Sequence, residues 1–190
     1  MPNWCMNQLE VSHPDITKMQ NLIEGFKKGQ FFNSIRPMPE ELRGTISPVP
    51  EGVDVTGLAE KYGATNWYDW SVWNWGTKWD VGDDDDNDVE IEPYGDTLSV
   101  RFSFESAWSP PDAIYEYMVE QGYTIEAYYY EPGVGFCGSV KDGETDHYDI
   151  TNLTSEEVED QIPYEIDVRF GISDWLAECE RESEEEEDQE

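Results

Sequence analysis

Thr97-Leu98-Ser99-Val100-Arg101-Phe102-Ser103-Phe104-Glu105-Ser106 puts Leu98, Val100, Phe102 and Phe104 at alternate positions with polar side chains between them. A period of two sustained over ten residues is a strand with one apolar face. Residues 89–92 form its partner, and Tyr94-Gly95-Asp96 joins the two as a hairpin. A helix follows. Ser109 is its expected cap, Pro110 and Pro111 stand at its start where missing N–H groups cost little, and Ile114, Tyr117 and Met118 share a face before Gly122.

The same order precedes this unit. Residues 4–12 alternate as a strand, with Cys5, Asn7, Leu9 and Val11 on one face. Ser12 and Asp15 then open a helix whose stripe is Ile16, Met19, Leu22, Ile23 and Phe26. Residues 31–88 form a large Trp-rich insertion after that helix, broken by prolines, with short helices near 58–62 and 68–72. Past residue 122, strands are expected at 123–131, 136–141 and 145–150. The reading is an α+β fold, a ferredoxin-like βαββαβ antiparallel sheet with both helices on one face and an extra C-terminal hairpin. Residues 1–150 make this domain, 151–180 a short helical extension with helices at 155–161 and 172–179, and 181–190 a disordered acidic tail.

The 190 residues carry 44 Asp plus Glu against 11 Lys plus Arg, a formal net charge of −33. That sign excludes ordinary nucleic-acid binding, which depends on Lys and Arg replacing counterions around phosphates, and it repels anionic membranes. Hydrophobic residues at 37% suffice for a core. The lack of a membrane-length apolar run or a secretory leader points to the cytoplasm. Cys5, Cys137 and Cys179 are too few and too widely spaced for a disulfide framework or a zinc site.

The excess charge is concentrated. Residues 1–61 hold 8 acids and 6 bases, whereas residues 62–190 hold 36 acids and 5 bases. A salt-adapted proteome would acidify both parts. Asp83, Asp84, Asp85, Asp86 and Asp88 form one run, and Glu90, Glu92, Asp142, Glu144 and Asp146 are interleaved with strand residues. These ten are the candidate partner-binding carboxylates. The run fails the calcium-loop pattern, since a loop starting at Asp84 has Val89 at its sixth position and Gly95 at its twelfth. No metal or cofactor is expected.

Catalytic motifs are weak. His13 and His147 lack metal-ligand spacing, Cys137 sits in a Gly135-Phe136-Cys137-Gly138 turn that precedes a strand instead of a helix, and there is no phosphate-binding glycine loop. No catalytic residue is assigned. Trp67, Trp70, Trp73, Trp75 and Trp79 place five of the eight tryptophans within 13 residues. Trp67, Trp70 and Trp73 are read as one helical face on the sheet. The alternative is a stacking platform for carbohydrate.

Met1-Pro2-Asn3-Trp4-Cys5-Met6-Asn7, Phe32-Asn33-Ser34-Ile35-Arg36-Pro37-Met38-Pro39, Trp67-Tyr68-Asp69-Trp70 with Asn74-Trp75-Gly76-Thr77-Lys78-Trp79-Asp80, Ala107-Trp108-Ser109-Pro110-Pro111, and Glu131-Pro132-Gly133-Val134-Gly135-Phe136-Cys137-Gly138 occur in that order. Together they resemble the YubB-type ferredoxin-like proteins of bacteriophages and conjugative plasmids. The resemblance covers residues 1–150 and implies a mobile-element origin without supplying catalytic residues. A small acidic protein of that origin suggests an anti-defence role. It would be a DNA mimic occupying the DNA-binding surface of a basic host nuclease, restriction or CRISPR-type complex. Duplex DNA carries one charge per roughly 1.7 Å, so 31 net charges correspond to roughly 50 Å of duplex.

Overall fold

The computed structural model describes residues 3–82, 87–94 and 97–187. It is an α+β protein built on a six-stranded antiparallel sheet. The strands are β1 (Trp4–Ser12), β2 (Asp88–Tyr94), β3 (Thr97–Ala107), β4 (Thr124–Glu131), β5 (Phe136–Lys141) and β6 (Glu144–Asp149), in the spatial order β2-β3-β1-β4-β5-β6. That order is not the four-stranded sheet of the sequence reading, because the β5–β6 hairpin continues the same sheet past β4.

Alternation decides the faces. Cys5, Leu9 and Val11 of β1, Val100, Phe102 and Phe104 of β3, and Ile125, Ala127 and Tyr129 of β4 point to one side. There they meet Met19, Leu22 and Phe26 of α1 (Ile16–Lys27) and Phe31 and Phe32 of α2 (Phe31–Ile35). Trp70 and Trp75 of α5 (Trp67–Trp75) and Ile114, Tyr115 and Met118 of α6 (Asp112–Glu120) complete that layer. Between α2 and α5 the insertion carries two short helices, α3 (Glu40–Arg43) and α4 (Thr56–Tyr62). Gly76 ends α5 at φ 83°, and a Cβ there would come within 2.7 Å of the Asp112 amide, so the turn docks directly on the start of α6.

The opposite face is partly covered too. Tyr128, Tyr130 and Cys137 meet Val158 of α7 (Ser155–Gln161), Ile166 of α8 (Tyr164–Phe170) and Ile172 of α9 (Ile172–Glu187). The sheet therefore has helices on both sides over β4, with α6 on one side and α8 on the other. The extension contains three helices instead of two, and α9 continues eight residues past the expected end at Cys179. Helix α9 runs on through residues 181–187, where the expected tail begins, and it has no glycine or proline to stop it.

Both expected caps differ. Asp15, not Ser12, accepts the Thr17 amide at the start of α1. Ser109 donates its hydroxyl to the Gly76 carbonyl, and α6 opens at Asp112 after Pro111. No helix among the described residues is long and apolar enough to cross a membrane.

Candidate partner-binding surface

Register places the candidate carboxylates. Asp88 and Glu90 are exposed on β2, and Glu144 and Asp146 are exposed on β6. All four belong to the sheet face that carries α7 to α9. They stand on opposite edges, however, separated by five inter-strand gaps of about 4.8 Å, or roughly 24 Å. Sequence order could not reveal this, since it takes the strand order to make β2 and β6 the two edges. Glu92 lies opposite Ser99 in register, and its side chain is outside the described residues. Asp83, Asp84, Asp85 and Asp86 also lie outside them.

Asp142 is exposed but committed. Its Oδ1 accepts the Ile125 amide at 3.1 Å and its own amide donates to the Ile125 carbonyl at 3.2 Å, so it closes the β5–β6 turn over β4.

Between the edges runs one row of charges: Glu90 on β2, Arg101 on β3, Glu10 on β1, Glu126 on β4, Lys141 on β5 and Glu144 on β6. Arg101 binds Glu10 at 2.8 Å and Glu90 at 3.1 Å. Arg169, from α8, reaches Gln8 at 3.2 Å and Glu10 at 3.4 Å, and its guanidinium lies 4.1 Å from the Tyr128 ring. Lys141 binds Glu126 at 2.9 Å and Glu165 at 3.6 Å. The Tyr128 hydroxyl donates to Glu126 and lies 2.8 Å from Glu165. Burial and these two carboxylates push the Tyr128 phenol up to about 12, while the Tyr128 and Lys141 donors hold Glu126 below the usual carboxylate range. Every base in the row is engaged by carboxylates of the molecule itself.

The outer acids have no such neutralisation. Residues 142–187 contain 18 acids and 2 bases. One base, Arg169, is in the network above, and the other, Arg181, donates to the Ala177 carbonyl. Glu156, Glu157, Glu159 and Asp160 of α7 line a surface hollow of about 590 Å³. Asp174, Glu178, Glu182 and Glu185 are exposed along α9. Two contacts fix α9 against its neighbours: Glu180 accepts the amide and hydroxyl of Ser155, each at 2.8 Å, and buried Asp167 accepts the amide and hydroxyl of Ser173, each at 2.7 Å. The acids of β6, α7 and α9 are carried on docked elements and form one side of the molecule.

The tryptophan block divides. Trp70 and Trp75 are buried and meet edge to face at 5.5 Å. Trp75 donates its indole N–H to the Arg36 carbonyl. Trp67 is half-buried, and Trp73 is 63% exposed. Trp67, Trp70 and Trp73 therefore do not share a buried face: at about 100° per residue Trp73 lies 120° around α5 from Trp67. Trp79 leaves the block altogether and packs beside Trp4 and Trp108, at centroid distances of 6.2 and 6.5 Å. Sequence reading missed this grouping because its members come from three separated segments.

Burial pushes the Cys137 thiol up to about 12, with Asp167 adding to the shift, so it stays protonated at neutral pH. Among the described residues no three His, Cys, Asp or Glu side chains converge as a metal site.

No family model and no curated protein matches the chain. Among solved structures, a crystal structure of protein api92 from Yersinia pseudotuberculosis, described under the family model DUF1281, aligns with a TM-score of 0.41 and 11% identity, covering 80% of this chain and 100% of that one.

Proposed function

We propose that the protein is a non-enzymatic acidic inhibitor of bacteriophage or plasmid origin. In the host cytoplasm it would act as a DNA mimic on the DNA-binding surface of a basic host nuclease, restriction or CRISPR-type complex. The observation that carries this reading is the uncompensated field of β6, α7 and α9: the bases nearby are held within the molecule, and the carboxylates face outward on docked elements. Such a field steers association with a basic surface and discriminates against acidic ones. The ferredoxin-like reading belongs to this proposal as well. It is supported by the order β2-β3-β1-β4, in which β1 and β2 are parallel with β3 between them, the β5–β6 hairpin being an addition.

The test is capture from bacterial lysate by the tagged full-length protein, with and without excess duplex DNA, at low and high salt. The expected result is enrichment of nucleic-acid-binding proteins that DNA displaces and salt releases. A captured partner that still binds DNA fully at saturating inhibitor would overturn mimicry.

A further inference from the structure

We infer that Trp4, Trp79 and Trp108 form a stacking platform for the guanidinium groups of an arginine-bearing protein surface, which anchors the partner that the acidic field attracts. The inference rests on the acidic-inhibitor reading and adds to it the chemistry of the anchor.

The three indoles come from the first residue of β1, the loop after α5 and the turn between β3 and α6. They are 40%, 39% and 45% exposed, respectively, and neighbouring planes are tilted by only 37° and 32°. The fold buries indoles elsewhere, at Trp70 and Trp75, so lack of interior space does not explain three of them together in solvent. Such patches mark interaction sites.

The backbone supports the arrangement at a cost. Trp108 has φ 68°, a left-handed conformation that a bulky side chain rarely adopts, and its amide donates to the Asn3 carbonyl at 2.9 Å. That bond ties the strained turn to the residue preceding Trp4, and both Trp4 and Trp108 pack against Trp79. Strain retained at an exposed aromatic group points to function.

The chemistry of the occupant follows from charge. The Lys78 ammonium already lies 4.2 Å from the Trp79 centroid, 5.3 Å from Trp108 and 5.8 Å from Tyr68, so these ring faces accept a cation. With a net charge of −33, and an acidic run beginning four residues after Trp79, anionic ligands such as nucleic acid are repelled and cationic groups are drawn in. Arginine fits better than lysine because its planar, weakly hydrated guanidinium stacks on an indole face. Tryptophan and arginine are also the side chains that dominate binding at interface centres.

The experiment is calorimetric titration of the full chain with nona-arginine and nona-lysine, which carry equal charge, at 50 and 500 mM NaCl. Trp4→Leu, Trp79→Leu and, as a control outside the platform, Trp73→Leu are compared, each with its fold checked by circular dichroism. The parent and Trp73→Leu should bind nona-arginine about fivefold or more tighter than nona-lysine, a preference that survives high salt. The preference should fall in Trp4→Leu and Trp79→Leu while nona-lysine binding is unchanged. Two independent platform variants keep the test open if one misfolds. Equal affinity for the two peptides, or a preference retained in both platform variants, would overturn the platform and leave the acidic-inhibitor reading standing. Binding of maltoheptaose that is lost in Trp79→Leu would also overturn it, assigning the rings to carbohydrate. Failure of both peptides at 50 mM NaCl would overturn the field and the platform together.

Discussion

Asp80 holds the start of α2 from 48 residues away: its Oδ1 accepts the Phe32 amide at 2.7 Å, and its Oδ2 accepts the Asn33 amide at 3.1 Å. The end of the tryptophan loop is thereby fixed to the first helices. Burial raises the Asp80 carboxyl to about 6 even though three backbone amides oppose the shift.

A carboxyl whose folded value exceeds its unfolded value binds a proton more readily in the native state. Its stabilising protonation is present below about 4 and lost as pH rises through about 6. Relative to Asp80→Asn, the parent should therefore lose about 1–3 kcal/mol of stability between pH 4.5 and 7.5. Urea unfolding across that range checks this difference, in which the other carboxylates cancel. Parallel pH profiles would show that Asp80 does not titrate in this window.

Trp70→Ala should cost about 3–5 kcal/mol, because the ring is 5% exposed and packed on Trp75. Trp73→Ala, two thirds exposed on the same helix, should stay within about 0.5 kcal/mol of the parent. Chemical denaturation of the pair checks the division of the block. Similar losses would place both rings in the core.

Much of this fold is written in short-range pattern. Leu98, Val100, Phe102 and Phe104 announce β3, and Met19, Leu22 and Phe26 announce α1, because each period states which face is buried. Helix α8 is different. Tyr164, Ile166, Val168 and Phe170 alternate like a strand, yet the segment is helical, closed by left-handed Gly171, with Ile166 buried and Tyr164 and Val168 in solvent. Tertiary packing against Tyr128 and Cys137 overrides the local pattern there. The candidate surface was legible as composition but not as geometry. The separation of Glu90 from Glu144, and the meeting of Trp4, Trp79 and Trp108, both depend on which strands become neighbours.

The C-terminal helix gives a paired prediction. Truncation after Arg181 keeps the Glu180 carboxylate on Ser155, whereas truncation after Cys179 removes it. The shorter chain should melt at a lower temperature than the longer one, which should match the parent. Equal melting temperatures would mean that the Glu180 contact does not hold α9 in place.

Added salt should stabilise the protein. Exposed pairs such as Lys28 with Glu24 contribute little and are weakened by screening, but repulsion within a charge of −33 is screened as well and is the larger quantity. The urea midpoint should rise between 20 and 500 mM NaCl. A fall would mean that the Glu10, Arg101 and Arg169 network outweighs the repulsion.

The last prediction locates the contact. Four charges can be removed either from β6 and α7 or from the run Asp83 to Asp86, two changes equal in net charge that fall on separate stretches of the chain. One variant carries Glu144→Gln, Asp146→Asn, Glu156→Gln and Glu159→Gln. The other carries Asn at Asp83, Asp84, Asp85 and Asp86. Amides keep size and polarity, so both should fold. Their association rates with the captured partner, measured by stopped flow at low salt, report steering directly. If the field of β6 and α7 meets the partner, the first variant should associate about tenfold more slowly than the second, and the gap should close as salt screens both. Equal slowing would mean that only total charge matters, and a larger effect of the second would move the contact to the run Asp83 to Asp86. No slowing in either would remove the carboxylates from the interface and leave no basis for mimicry.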